Sequence, residues 1–254
     1  MPLDGLHVNR DRAESFGSLA EQYDRFRPTY PDALLDHLVA LGPSTTLDVG
    51  CGTGKVAVGL AGRGLDVVGV EPDERMAAIA RRHGVRVDLA SFEAWDSRGR
   101  QFDMITSGHA WHWIDPDVGL PKAASVLRSG GTIELFWNYH VLDEDLLSVV
   151  EPVYGQHAPE LEVLGRDPSG GPDTDPFGGS DRFSRGETTT YRWERRLGAD
   201  EWIGLLATFS DHRALGPARL TALQQALHQV IQESGGVVHA ACGTYVWSAR
   251  KVRD

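Results

Sequence analysis

The chain has 254 residues, a formal net charge of −11, 41% apolar and 24% charged residues, and two cysteines. That length and balance suit one soluble α/β domain spanning 1–254, and the negative charge argues against a general nucleic-acid groove or an anionic membrane surface as partner. Two cysteines make no disulfide framework, Met1–Arg12 lacks an apolar signal core and no run approaches about 18 apolar residues, so the expected setting is the cytoplasm.

Residues 13–27 place Phe16, Leu19, Tyr23 and Phe26 at spacings of three and four, which predicts an amphipathic helix. Pro28 and Pro31 end it and a second helix, DALLDHLVAL, closes at Gly42-Pro43. Both read as packing helices of an N-terminal cap over 1–43.

TTLDVGCGTGK (45–55) follows. Thr46, Leu47 and Val49 carry a strand, three alternate glycines (Gly50, Gly52, Gly54) break it, and AVGLAGRG resumes at helical spacing. Such a turn presents unpaired backbone N–H groups to a ligand that no Cβ holds off. A P-loop fails here, because Val49 stands at its first glycine and Val56 follows Lys55. The dinucleotide fingerprint G-x-G-x-x-G fails as well, with Lys55 at its third glycine. An adenosyl ligand without a pyrophosphate remains. The next strand, DVVGVE, ends in Glu71, about 20 residues on, where an acid accepts hydrogen bonds from a ribose diol.

PDERMAAIARRHG is a helix with acids in its first turn and Gly84 as its stop, followed by the short strand VRVDL and the loop ASFEAW. FDMITSGHAWHWIDP (102–116) is a fourth strand and its outgoing loop, with two histidines and two tryptophans between His109 and Trp113. That segment is either a packed aromatic corner or part of a site beside the switch point where open α/β sheets bind ligands. Zinc ligation by His109 and His112 lacks partner ligands at a recognised spacing, so no metal is expected. LPKAASVLRSGG reads as a helix ending in a glycine pair, and TIELFWN as a fifth strand that exits as Trp137-Asn138-Tyr139-His140. LDEDLLSVVEPVYGQH is a helix, and 165–183, rich in Gly, Pro and Asp, reads as a mobile loop. ETTTYRWERRL, two helical segments and GTYVWSARKV complete seven strands.

LDVGCGTGK followed by GVEPDERM resembles motif I and the acidic second-strand end of class I S-adenosylmethionine-dependent methyltransferases, in particular those of the type 11 kind. AEQYDRFRPTYP resembles the N-terminal cap of a subgroup of that family. HAWHWIDP is similar to a segment of its small-molecule subgroup around the trans-aconitate enzymes, and LRSGGTIELFWN to the family's LRPGGTL strand entry. The resemblance implies a Rossmann-like, seven-stranded, mostly parallel sheet with helices on both faces, an antiparallel last strand and an N-terminal helical cap. It implies a cofactor-binding core over 44–138, a substrate-side insertion over 139–200, and C-terminal helices with the last strand over 201–254.

For the site, the resemblance implies S-adenosylmethionine as cofactor. Asp48 and Gly50 would face its amino-acid end and Glu71 its ribose, with Cys51, Gly52, Gly54, Pro72 and Met76 also binding the cofactor. Ser91 or Glu93 would take the exocyclic amine, and Phe92 either flanks the adenine or packs on the sheet. Ser107, Gly108 and His109 would complete the cofactor wall. A small-molecule acceptor would meet Tyr23, Arg27, Tyr30, Trp111, His112, Trp113, Trp137 and Tyr139, with His112, His109 and Tyr23 as candidate catalytic groups. For His112 three roles stand open: general base, positioning residue, or packing. The expected reaction is in-line methyl transfer, in which charge disperses and a dry, oriented site helps. The alternatives are an NAD(P)-dependent oxidoreductase and a non-catalytic binder of the same cofactor. The expected assembly is a monomer or homodimer.

Overall fold

The computed structural model describes residues 14–166 and 174–252. The opening segment Met1–Arg12 and the centre of the 165–183 loop lie outside the described residues, as do the side chains of 14–16. A short 3-10 turn, Glu14–Leu19, leads into α1 (Ala20–Phe26) and α2 (Asp32–Ala40). Then come β1 (Thr45–Val49), α3 (Lys55–Ala61), β2 (Asp66–Glu71), α4 (Glu74–Arg82), β3 (Arg86–Leu89) and β4 (Phe102–Gly108). The second half runs α5 (Pro116–Val126), β5 (Leu127–Leu142), α6 (Glu144–His157), β6 (Glu187–Gly198), α7 (Ala199–Leu206), α8 (Ser210–Arg213), α9 (Pro217–Glu233) and β7 (Val237–Arg250).

The strands form one seven-stranded sheet in the order β3-β2-β1-β4-β5-β7-β6. The first five are parallel, while β7 runs antiparallel between β5 and β6. The chain winds outward from β1 to β3 and then restarts on the other side at β4. The crevice beyond the carboxyl ends of β1 and β4 is therefore the switch point of the sheet.

Local chemistry explains the elements that frame this crevice. Leu47 and Val49 of β1 are fully buried beneath the helices on one face. Leu34, Leu38, Leu60, Met104 and Phe136 fill the other. Each such side chain contributes about 1.5–3 kcal/mol by leaving water. Asp73 caps α4, its carboxylate accepting from the N–H groups of Arg75 and Met76. Asp103 joins the β4 entry to β1 by accepting from the backbone N–H groups of Ser44 and Thr45, and it pairs with Arg128 at 2.7 Å. A third apolar layer, built on Trp202, Leu205, Leu227 and Val150, holds α6, α7 and α9 over the far end of β5 and β7.

Three expectations change. The fifth-strand region does not wait for the glycine pair: α5 stops at Val126, and β5 runs from Leu127 to Leu142 with a register shift against β4. Gly131 permits this, since a Cβ there would stand 2.8 Å from the Asp103 carbonyl oxygen. Residues 137–140 are not an exit either. They continue as strand because β7 supplies partners, with His140 opposite Cys242 and Leu142 opposite Ala240. Finally, the described part of the 165–183 segment is anchored: Phe177 and Phe183 are buried in the main core, and Asp175 accepts from the N–H groups of Phe177 and Gly186.

Candidate functional site

The turn after β1 is closed by the N–H groups of Gly50 and Cys51, which both donate to the Val70 carbonyl. Gly50 has φ +65 and Gly52 φ +56, a region that side chains rarely adopt. A Cβ on Gly50 would also collide with the Ala110 methyl at 2.4 Å. The N–H of Gly52 donates to Glu71 Oε2 at 2.9 Å, and the N–H of Asp73 donates to Oε1 at 3.0 Å. The acid at the end of β2 thus holds the glycine loop and the start of α4 together.

Two cavities meet over this loop. The larger is bordered by Glu71, Pro72, Met76, Ser91, Phe92, Glu93 and Trp113. Phe92 also packs against Trp111, so it borders the cavity and belongs to the core at once. The smaller is bordered by Arg27, Tyr30, Asp48, Cys51, Lys55, Asn138 and His140. Tyr23, Gly50, Gly52, Gly108 and His109 line both. These five form the wall between the two spaces.

The electrostatics of the two spaces differ. Burial pushes both Asp48 and Glu71 up to about 7, against hydrogen bonds that hold them down. Asp48 Oδ1 accepts from Thr106 at 2.9 Å, whereas Oδ2 is buried without a partner among the described residues. The smaller cavity carries cations. Arg27 lies 3.7 Å over the Phe209 ring and bonds Thr208 through Nε, and Lys55 donates to the Asp24 carbonyl at 2.7 Å. Burial also raises the Tyr23 and Tyr30 phenols, keeping both protonated near neutrality.

Several expected site residues stand elsewhere. Trp111 is buried in the core against Phe92 and Gly119. Ser107 is buried and donates to the Val49 carbonyl, joining β4 to β1. Gly54, at φ +88, packs the start of α3 against Ala80. Trp137, Tyr139 and His112 border neither cavity, and the Tyr139 ring covers Gly243. Strand alternation explains this: Asn138 and His140 of β5 face the smaller cavity, so Trp137 and Tyr139 point to the opposite side. The sequence reading missed Asn138 and His140, and also Lys55. Period-two alternation carried through 136–142 would have found the first two.

Neither His109 nor His112 is arranged as a base. The indole N–H of Trp137 donates to His112 Nδ1 at 3.0 Å, and the backbone N–H of Asn138 donates to His109 Nε2 at 2.8 Å. A neutral imidazole has one ring lone pair, and each ring uses it on the protein. Burial, with nearby positive charge, drives His109 well below its ordinary value, so it stays neutral. Among the described residues no group of three or more His, Cys, Asp or Glu is placed to hold a metal ion.

The site also fits an adenosyl amino acid on its own terms. Asp48 offers an unused buried carboxylate oxygen beside the loop, and Glu71, at the end of β2, borders the larger cavity. No Cβ on Gly50 or Gly52 blocks the approach. The family model described as "Methyltransferase domain" matches residues 47–135. An uncharacterized methyltransferase of Mycobacterium tuberculosis is 35% identical over 203 residues, which make up 79% of this chain and 79% of that protein. The ubiquinone biosynthesis O-methyltransferase of Acinetobacter baylyi is 28% identical over 151 residues, 52% of this chain and 63% of the relative. A solved structure from Anaeromyxobacter dehalogenans, assigned as a type II methyltransferase, shares the fold with a TM-score of 0.67 at 24% identity, covering 90% of this chain and 100% of that one. Neither the oxidoreductase nor the non-catalytic alternative finds support. The chain belongs to the class I S-adenosylmethionine-dependent methyltransferase family.

Proposed function

We propose that the protein transfers a methyl group from S-adenosylmethionine to a small molecule bound in the smaller cavity. The observation that carries this reading is the shared wall: Tyr23, Gly50, Gly52, Gly108 and His109 border both spaces. A cofactor held along the glycine loop would thus reach from the larger space toward the smaller one, where an acceptor would sit. Glu71 would hold the ribose, Phe92 and Met76 would flank the adenine side, and the Asp48 oxygen would meet the ammonium. Arg27, one ring away from Tyr23, would take the cofactor's carboxylate. The sulfonium supplies the methyl group and becomes neutral as it leaves.

What remains for the protein is orientation and exclusion of water, which at their ideal limit contribute about 7–11 kcal/mol. Tyr23, Tyr30 and Trp113 line the approach with aromatic surface suited to a cation. The two ring lone pairs of His109 and His112 are engaged, so the acceptor atom would bring its own lone pair or ionise by itself. We read His112 as a residue that positions Trp137 and the 3-10 turn Trp111–Trp113. Both cysteines are buried and are not joined to each other. Among the described residues no helix is long and apolar enough to cross a membrane.

The test is a thermal shift with S-adenosylhomocysteine against NAD. At one hundred times its dissociation constant the former is expected to stabilise the fold by about 2.7 kcal/mol, and NAD by nothing. A shift with NAD alone would reject the reading.

A further inference from the structure

Tyr154 of α6 and His212 of α8 are both buried, and neither borders either cavity. The Tyr154 hydroxyl meets His212 Nε2 at 2.8 Å, with the two rings edge to face. Asp211 Oδ1 accepts from the His212 backbone N–H at 2.7 Å and lies 2.8 Å from His212 Nδ1. A carboxylate only accepts, so Nδ1 carries the proton, and in the neutral ring Nε2 accepts from the Tyr154 hydroxyl. Around this chain of hydrogen bonds the packing is apolar: Tyr154 belongs to the layer of Val150, Trp202, Leu205 and Leu227.

The other end of the chain reaches the smaller cavity. His212 lies in the four-residue helix Ser210–Arg213, and the two residues before that helix hold Arg27. Arg27 donates through Nε to Thr208 Oγ1 at 2.8 Å and through Nη2 to the Thr208 carbonyl at 3.1 Å, and its guanidinium covers the Phe209 ring. The Thr208 hydroxyl is itself fixed, donating to the Leu205 carbonyl at 2.6 Å. Phe209 and His212 lie 6.0 Å apart between ring centroids. The same turn also grips the far side of α1, where Arg213 Nη2 donates to Ser18 Oγ at 3.0 Å. A helix of four residues does not hold its own position, so this turn sits where its side chains are tied. Two apolar residues would fill the space of tyrosine and histidine at little cost. A hydrogen bond adds direction, and breaking it leaves a buried acceptor unpaired.

Resting on the reading that Arg27 takes the cofactor's carboxylate, we propose that Tyr154 and His212, with Asp211 fixing the ring, are positioning residues for Arg27. The Tyr154 hydroxyl holds His212, His212 holds the turn that carries Thr208 and Phe209, and those two residues aim the guanidinium. Cofactor affinity then depends on a hydrogen bond that touches neither cavity.

The experiment titrates S-adenosylhomocysteine into the full chain by calorimetry, at a temperature where every variant is folded, with melting curves recorded alongside. Tyr154→Phe keeps the ring and removes the hydroxyl, and is expected to weaken binding by about two- to thirtyfold. His212→Phe is expected to fall in the same range and carries the measurement should Tyr154→Phe fail to fold. His212→Gln, whose amide oxygen still accepts from Tyr154, should lose less. Ile231→Val, a cut in the same apolar layer, should lower the melting temperature and leave affinity as in the parent. Arg27→Met should weaken the ligand by itself, and adding Tyr154→Phe to it should bring no further loss. A Tyr154→Phe protein that melts earlier yet binds like the parent would overturn the proposal and leave Tyr154 to packing. So would an equal loss with and without Arg27, which would route the effect through α1 as a whole. Unchanged affinity in Arg27→Met would remove the reading of Arg27 and the proposal with it. Failure of the parent itself to bind would instead remove the methyltransferase reading beneath both.

Discussion

The backbone N–H of Gly52 donates to Glu71 Oε2 at 2.9 Å, so the residue that lets a ligand approach the loop is held by the acid expected to meet its ribose. Glu71→Ala is expected to weaken S-adenosylhomocysteine by about 1.5–3 kcal/mol, the range for hydrogen bonds to a charged group. The effect should fall on affinity and not on the chemical step, because ribose contacts do not change at the transition state. Unchanged affinity in calorimetry would remove Glu71 from the ribose.

The same carboxylate makes binding pH-dependent. Burial raises Glu71 to about 7, and a ribose diol prefers the ionised acceptor. Below about pH 7 the free protein holds a proton that binding must release, so affinity should fall as pH drops, by at most about tenfold per unit for one group. In Glu71→Gln that slope should flatten. An equal slope in both proteins would assign the dependence to another group.

His112→Gln separates a base from a positioning residue. With Nδ1 accepting from Trp137, the ring has no lone pair left for an acceptor's proton. Turnover at saturating acceptor is expected to stay within about tenfold of the parent, with a loss of about 0.5–1.5 kcal/mol of stability if the indole bond weakens. A fall of about 10²–10⁴-fold in the single-turnover rate would restore the base.

Glu134 of β5 offers a stability test remote from the site. It is 2% exposed, accepts from the Ser248 hydroxyl, and burial raises it to about 7. A carboxyl raised above its unfolded value of 4.5 contributes stability that is full below that value and is lost as pH rises through about 7. Glu134→Gln, neutral throughout, should therefore gain on the parent between pH 4.5 and 8, by up to about 3 kcal/mol. A constant difference across that range would show that the acid is not raised.

How far the sequence could be read depended on whether neighbours along the chain or across the sheet decided the outcome. The glycine loop and Glu71 were legible because one short βαβ unit contains them and the needed backbone conformations are written as glycines. The seven-stranded, mostly parallel sheet with an antiparallel last strand followed from the resemblance, and the structure supplies its order. The acceptor side was not legible, because it is built across strands. Trp137 and Tyr139 look like a binding edge only while β5 is thought to end there. Pairing with β7, more than a hundred residues later, extends the strand and turns Asn138 and His140 inward instead. The tryptophans of the HAWHW segment divide for a similar reason: the 3-10 turn sends Trp111 into the core and leaves Trp113 on the cavity.

The central claim is that the loop at Gly50–Gly54 holds S-adenosylmethionine, and isothermal titration of S-adenosylhomocysteine into the parent and Gly52→Val tests it most directly. The variant places a branched side chain at φ +56, its Cβ 3.4 Å from Met76 Cε, on the surface the ligand would touch. The expected result is one-to-one binding to the parent and none to a Gly52→Val protein that still unfolds cooperatively. Binding of equal strength in both, or none to the parent, would contradict the assignment of this loop.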